Sequence, residues 1–218
     1  MCTANKPTGR RIGGVLLILT FVNGLLGAVA MATEEPSYEV LDTYPEFELR
    51  RYGPTLVAET LVSGDFEGAG REAFGRLANF IFGNNAPGEK IEMTAPVIQR
   101  PQAEASGREA APTGPQGDYV LSFVMPQRFS AATLPAPKDP GLWIREEPPR
   151  TLAVRRYSGR WTWANYRDNE TALLDAVRVA GLIPVGHTLY ARYNAPFTPW
   201  FLRRNEVMVE VRDPTADE

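Results

Sequence analysis

The 218-residue sequence predicts an α+β fold: a duplicated, mostly antiparallel sheet, curved or closed into a distorted β-barrel, with two amphipathic helices and a pseudo-twofold. Three observations predict it. Phe47–Val57, FELRRYGPTLV, is echoed from Leu152 by LAVRRYSGRWT, so Arg50-Arg51-Tyr52-Gly53 is answered by Arg155-Arg156-Tyr157-Ser158. The order strand–strand–strand–helix–strand–strand reads twice, over about residues 38–125 and 143–212. Neither half holds the long crossovers that parallel strands need, which leaves antiparallel pairing.

Tyr38–Tyr44 and Phe47–Tyr52 alternate apolar and polar residues around Pro45, giving two short strands and a corner. Pro54 restarts the chain into Thr55–Val62, a third run rich in β-formers. Asp65 follows a turn and is a helix cap for Asp65–Phe82, where Phe66, Ala69, Ala73, Leu77, Phe80 and Ile81 recur at helical spacing. Gly83-Asn84-Asn85 stops that helix. Lys90–Ile98 reads as a strand, with Pro96 placing it at an edge. Residues 99–117, almost devoid of large apolar side chains, read as a loop. Tyr119–Met125 is the next strand, and the proline-rich Pro126–Gly141 is a connection.

The second half repeats the pattern. Trp143–Glu147 and Leu152–Tyr157 are strands around Pro148-Pro149, Arg160–Ala164 is extended, and Asp168–Ala180 is a helix burying Leu173, Leu174 and Val177. Thr188–Tyr193 is a strand leading to Asn194-Ala195-Pro196, which echoes Thr94-Ala95-Pro96, and Glu206–Val211 closes the chain. A duplicated fold of this kind commonly leaves a cleft between sheet and helices, a natural place for a ligand.

An apolar share of 44% with 22% charged residues suits a globular core, and a net charge of −3 gives no basic field for nucleic acid. The first 32 residues differ: Lys6, Arg10 and Arg11 precede the apolar Ile12–Ala30, and Ala30-Met31-Ala32 supplies an A-x-A site. This is the order of a secretory signal peptide, so export to the periplasm or the extracellular space is expected, with residues 33–218 as the mature domain. The alternative is an uncleaved N-terminal anchor, the one route by which this chain would meet a membrane. Cleavage after Ala32 removes Cys2, the single cysteine, and leaves 20 basic against 26 acidic residues. A mature exported domain without a thiol has no disulfide, thiolate nucleophile or Cys-ligated metal.

Five stretches in order, Tyr38-Glu39-Val40, FELRRYGP, KIEMTAPV, YARYNAPF and Arg204-Asn205-Glu206-Val207, resemble the SOUL haem-binding family, over roughly Tyr38–Arg212. The resemblance implies a duplicated, distorted β-barrel with two helices that binds haem or free porphyrin without catalysing a reaction. It places the ligand in a largely apolar groove beside the first helix. Carried over by position, Arg71 faces the propionates, Phe74 contacts the ring, and Ala78 completes the groove. The chemistry suits the ligand, since a flat macrocycle takes apolar faces and its carboxylates take a guanidinium. Asn79 stands where some members have a lysine. Arg51 stands where iron-ligating members carry histidine, and an arginine does not deprotonate to coordinate iron.

Other side chains weigh less. His187, the single histidine, begins a strand in the second half and reads as structural or surface. Met93 and Tyr193 fit ordinary strand positions, and Glu89, Glu92 and Asp65 fit solvated or capping roles. There is no Gly-x-Ser-x-Gly elbow, metal-ligand spacing or phosphate-cradling loop. Adjacent arginines in a strand point to opposite faces, so one of each Arg-Arg pair is expected inside. Trp161, Trp163 and Tyr166 form an aromatic cluster, either core packing or a cleft lining. The expected protein is a monomeric, exported tetrapyrrole carrier, buffer or scavenger. Its rival is an effector or sensor module for another apolar small molecule.

Overall fold

The computed structural model describes Met1, residues 33–102 and residues 115–212. The leader read at residues 1–32, Cys2 included, and residues 103–114 of the expected loop lie outside the described residues. From Thr33 onward the described residues form one compact unit. In chain order they form β1 (Tyr38–Thr43), β2 (Glu48–Tyr52), β3 (Thr55–Asp65), α1 (Phe66–Ile81), β4 (Asn85–Ala86), β5 (Val97–Pro101) and β6 (Gln116–Val124). Then come β7 (Ala136–Pro137), β8 (Leu142–Glu147), β9 (Arg150–Tyr157), α2 (Trp163–Val179), β10 (Ile183–Arg192), a 3-10 turn at Trp200–Leu202, and β11 (Asn205–Arg212).

Nine strands build one antiparallel sheet in the order β1-β2-β9-β11-β10-β5-β6-β3-β8, while β4 pairs with β7 alone. The sheet is curved and open, with β1 and β8 at its edges, so the barrel alternative does not close. Outside β1 the order is its own mirror. It relates β2 to β8, β9 to β3, β11 to β6 and β10 to β5, with the axis at the β5–β10 seam, and α2 answers α1. This is the expected pseudo-twofold.

The motifs that suggested it are nevertheless not equivalent under it. Arg50-Arg51-Tyr52 ends β2, but Arg155-Arg156-Tyr157 ends β9, the counterpart of β3. Strands β2 and β9 are direct neighbours, with Arg50 opposite Leu152 and Tyr52 opposite Arg150. Likewise Thr94-Ala95-Pro96 precedes β5, whereas Asn194-Ala195-Pro196 follows β10.

Alternation divides the sheet into two faces. Ala153, Tyr190, Val207 and Val209 point toward the helices, where Phe66, Leu77, Phe80, Ile81, Leu173 and Val177 complete the main core. Leu152, Val154, Leu189, Ala191 and Met208 point the other way, into a second cluster with Tyr52. Each large apolar side chain buried on α1 is worth about 1.5–3 kcal/mol in transfer free energy before conformational entropy. Asp65 caps α1 as expected, accepting the N–H of Gly68 at 2.8 Å.

Three elements depart from expectation. Arg160–Ala164 is not extended: the Thr162 hydroxyl accepts the N–H of Asn165, and α2 starts at Trp163 instead of Asp168. The strand expected at Lys90–Ile98 begins only at Val97, because Pro96 has no N–H for the ladder. Upstream of it, Ile91 is buried and its N–H donates to Ile81 at the end of α1. The expected loop 99–117 is shorter at both ends, since β5 reaches Pro101 and β6 starts at Gln116.

Candidate functional site

Helix α1 packs on β3 and β6, leaving one long face outward. Positions 71, 74, 75, 78 and 82 share that face at helical spacing. Arg71 is exposed and makes no ion pair among the described residues. Phe74 is half-buried and meets Phe123 of β6 edge-on, ring centroids 5.3 Å apart at 63°. Ala78 is half-buried and small, and a side chain on Gly75 would meet nothing within 4 Å. Phe82, at the helix cap, is 64% exposed. The face is therefore a low apolar shelf with a free guanidinium at one end and an exposed ring at the other. Arg71, Phe74 and Ala78 share this face, and Asn79 is exposed on the same helix.

The first double arginine splits as alternation requires, while in the second Arg155 is half-buried and Arg156 exposed. Arg50 is 4% exposed and is held by Glu206 at 3.1 Å, by Glu48 at 2.7 Å and beside the Tyr52 hydroxyl. Burial alone would lower the basicity of Arg50; its hydrogen bond to Tyr52 and the charge of Glu206 reverse this and raise it above the ordinary range. Arg51 is exposed and pairs with Glu39 of β1 at 3.1 Å. Four strands separate β2 from β6, so Arg51 is not part of the α1 shelf. Tyr193 donates to Glu206 at 2.7 Å and belongs to the Arg50 network.

His187 lies half-buried at a bulge in β10, in a concavity on the helix-free face with Arg100, Arg145, Arg150 and Glu147. Behind it Glu59 is 1% exposed on β3. Burial would raise its pKa, but hydrogen bonds from Arg145 and Ser122 and the charge of Arg100 overcome that and hold it at about 2. Met93 is exposed, Glu92 is exposed and paired with Arg128, and Glu89 is exposed. No three His, Cys, Asp or Glu side chains among the described residues could hold a metal ion. None of their helices is long and apolar enough to cross a membrane.

One constellation escaped the sequence reading. Arg192 ends β10 on the helix side of the sheet and lines a small concavity beside Trp161, with room for about one water molecule. Its guanidinium lies 5.4 Å from the ring centroids of both Phe66 and Trp161 and donates to the Gln99 amide oxygen at 2.6 Å. A Cβ on Gly70 would stand 3.0 Å from the Arg192 Nη1 and 2.8 Å from the Gln99 oxygen, so glycine there lets α1 come this close. Burial pushes the Arg192 pKa down to about 10. The signal in the sequence was a lone arginine within the otherwise apolar TLYARY. Trp161 and Tyr166 line this concavity, while Trp163 packs on Phe66 at 5.6 Å.

An open antiparallel sheet with two helices about a pseudo-twofold places the protein among duplicated α+β domains. A solved structure with this fold is the EcmrR C-terminal domain, with a TM-score of 0.59 at 11% identity, covering 81% of this chain and 98% of that one. The chain belongs to the SOUL heme-binding protein family, whose match spans residues 33–210. Among curated relatives, human Heme-binding protein 2 is 29% identical over 199 residues, which is 87% of this chain and 92% of the relative. Mouse Heme-binding protein 2 is 26% identical over 197 residues, 84% and 93% respectively.

Proposed function

We propose that this protein binds haem or free porphyrin on the outer face of α1 and releases it unchanged, as a carrier, buffer or scavenger. Membership of the SOUL heme-binding family and likeness to two heme-binding proteins support the ligand class. The observation that carries the location is the α1 shelf, where an unpaired Arg71 stands at one end of the Phe74–Ala78–Phe82 strip. A macrocycle laid there covers Phe74, Ala78 and Phe82 and brings a propionate to Arg71. With Arg51 in the histidine position and paired to Glu39, binding rests on apolar burial and charge instead of axial ligation. The leader implies that this happens outside the cytoplasm, after cleavage behind Ala32.

Titration of the purified protein with haemin and with iron-free protoporphyrin tests the reading. Both are expected to bind saturably and with similar affinity. Failure of both below high micromolar concentrations overturns it, in favour of an effector or sensor module for another apolar molecule.

A further inference from the structure

A folded domain exposes single large apolar side chains routinely, but a run of them marks a surface that meets something apolar. The loop between β10 and β11 carries such a run. Phe197 is 90% exposed, Leu202 64%, Phe201 59% and Trp200 48%, all within six residues. The exposure is not slack in the chain. Arg203 donates to the carbonyls of Pro196 and Thr198 at 2.7 and 2.9 Å, and the Leu202 N–H donates to Pro199 at 2.9 Å. The Trp200 carbonyl accepts from Gly159 at 3.0 Å, and the rings of Trp200 and Phe201 meet edge-on at 5.6 Å. The loop is therefore already ordered with its apolar side chains outward, so little entropy is lost when they are covered.

Charge around the loop has one sign. Segments 155–167 and 187–205 hold four and three arginines and no Asp or Glu, in a chain of net charge −3. Folding joins them, since Trp161 and Gly159 are both hydrogen-bonded to Asn205. Arg155, Arg167 and Arg204 have carboxylate partners, but Arg160 and Arg203 have none among the described residues. Arg160 is exposed and stands over the Trp200 ring at 5.6 Å, while Arg203 lies over Trp161 at 4.1 Å.

We propose that this loop is a membrane-docking surface whose occupant is a lipid bilayer carrying anionic headgroups. Phe197, Phe201 and Leu202 enter the acyl boundary, Trp200 takes the headgroup level, and Arg160 and Arg203 meet the lipid phosphates. A bilayer accepts a short apolar tip without shape complementarity, whereas a stable protein interface needs about 800 Å² from each partner. This route to a membrane uses neither the leader nor the α1 shelf.

Residues 33–218, one compact unit without the apolar leader, test this by vesicle flotation and tryptophan emission. Binding is expected to vesicles of equal parts phosphatidylcholine and phosphatidylglycerol, with a blue shift as Trp200 leaves water. It is expected to weaken several-fold on phosphatidylcholine alone and as salt rises. Phe197→Ser with Leu202→Ser is expected to weaken binding about tenfold or more, at unchanged thermal stability and haemin affinity. Arg160→Gln is expected to cost about fivefold on the mixed vesicles and nothing on neutral ones. Phe82→Ser, on the α1 shelf, is expected to bind vesicles like the parent. The proposal is overturned if the parent ignores mixed vesicles, if the folded double variant binds them like the parent, or if Phe82→Ser alone abolishes binding. A parent that ignores vesicles and sediments as a dimer, reduced to monomer in the double variant, makes the occupant a second copy and likewise overturns it. Should the double variant fail to fold, Phe197→Ser decides alone, and parental vesicle affinity in that variant overturns the proposal.

Discussion

The Glu67 carboxylate, in the first turn of α1, accepts the backbone N–H of Trp163, the first residue of α2, at 3.0 Å. One helix therefore caps its pseudo-symmetric partner, and the same negative charge lies at the N-terminal ends of both helix dipoles. Loss of the cap in Glu67→Ala is expected to cost about 1 kcal/mol, and Glu67→Gln, which keeps an acceptor, less. Denaturant melts read both.

Glu59 contributes to the acid stability. Its pKa is lowered from an ordinary 4.5 to about 2 in the folded protein, so its contribution is fully present above 4.5 and is lost as pH falls toward 2. In Glu59→Gln that part of the acid-side slope in a pH series of melts should vanish. The variant should also lose about 3 kcal/mol at neutral pH, since Arg145 keeps only Glu147 as a partner. An unaltered slope would assign the acid transition to other carboxylates.

On the α1 shelf, Arg71 acts through an exposed charge, so Arg71→Ala is expected to weaken haemin by about two- to fivefold, and Arg71→Glu by about tenfold. The difference should shrink as salt rises. Fluorescence titration at two ionic strengths checks this, and an affinity indifferent to charge reversal moves the ligand off this face.

Arg51→His restores the residue that iron-ligating relatives carry. Because β2 lies four strands from the β6 surface under α1, the Soret band of bound haemin is expected to stay as in the parent. A new ligation spectrum in that variant would place the ring against β2.

Much of the strand order along the chain was legible in the sequence, because apolar alternation and proline breaks report backbone geometry directly. What the sequence hid was pairing. Arg-Arg-Tyr recurs in β2 and β9, which are neighbours and not symmetry mates, and the copies differ: Arg50 is buried against Glu206, while Arg155 reaches Glu46 and Asn169. The start of α2 was missed for a local reason: Trp161-Thr162-Trp163 alternates like a strand, while its middle residue is a cap. Arg71, Phe74 and Ala78 came from the resemblance to the SOUL family, and helical spacing adds only that they share one face. Arg192 could not be singled out, because its lack of a counter-charge is a property of its neighbours on α1, β5 and the Trp161 loop.

The mirror order of the sheet has a temporal consequence. Each half lends one strand to the other: β2 lies against β9, and β8 lies against β3. A nascent chain that stops before Leu142 has β3 open along one edge and Glu59 without the guanidinium of Arg145. Neither half is complete without a strand of the other, so the two are expected to fold together, through contacts distant in sequence.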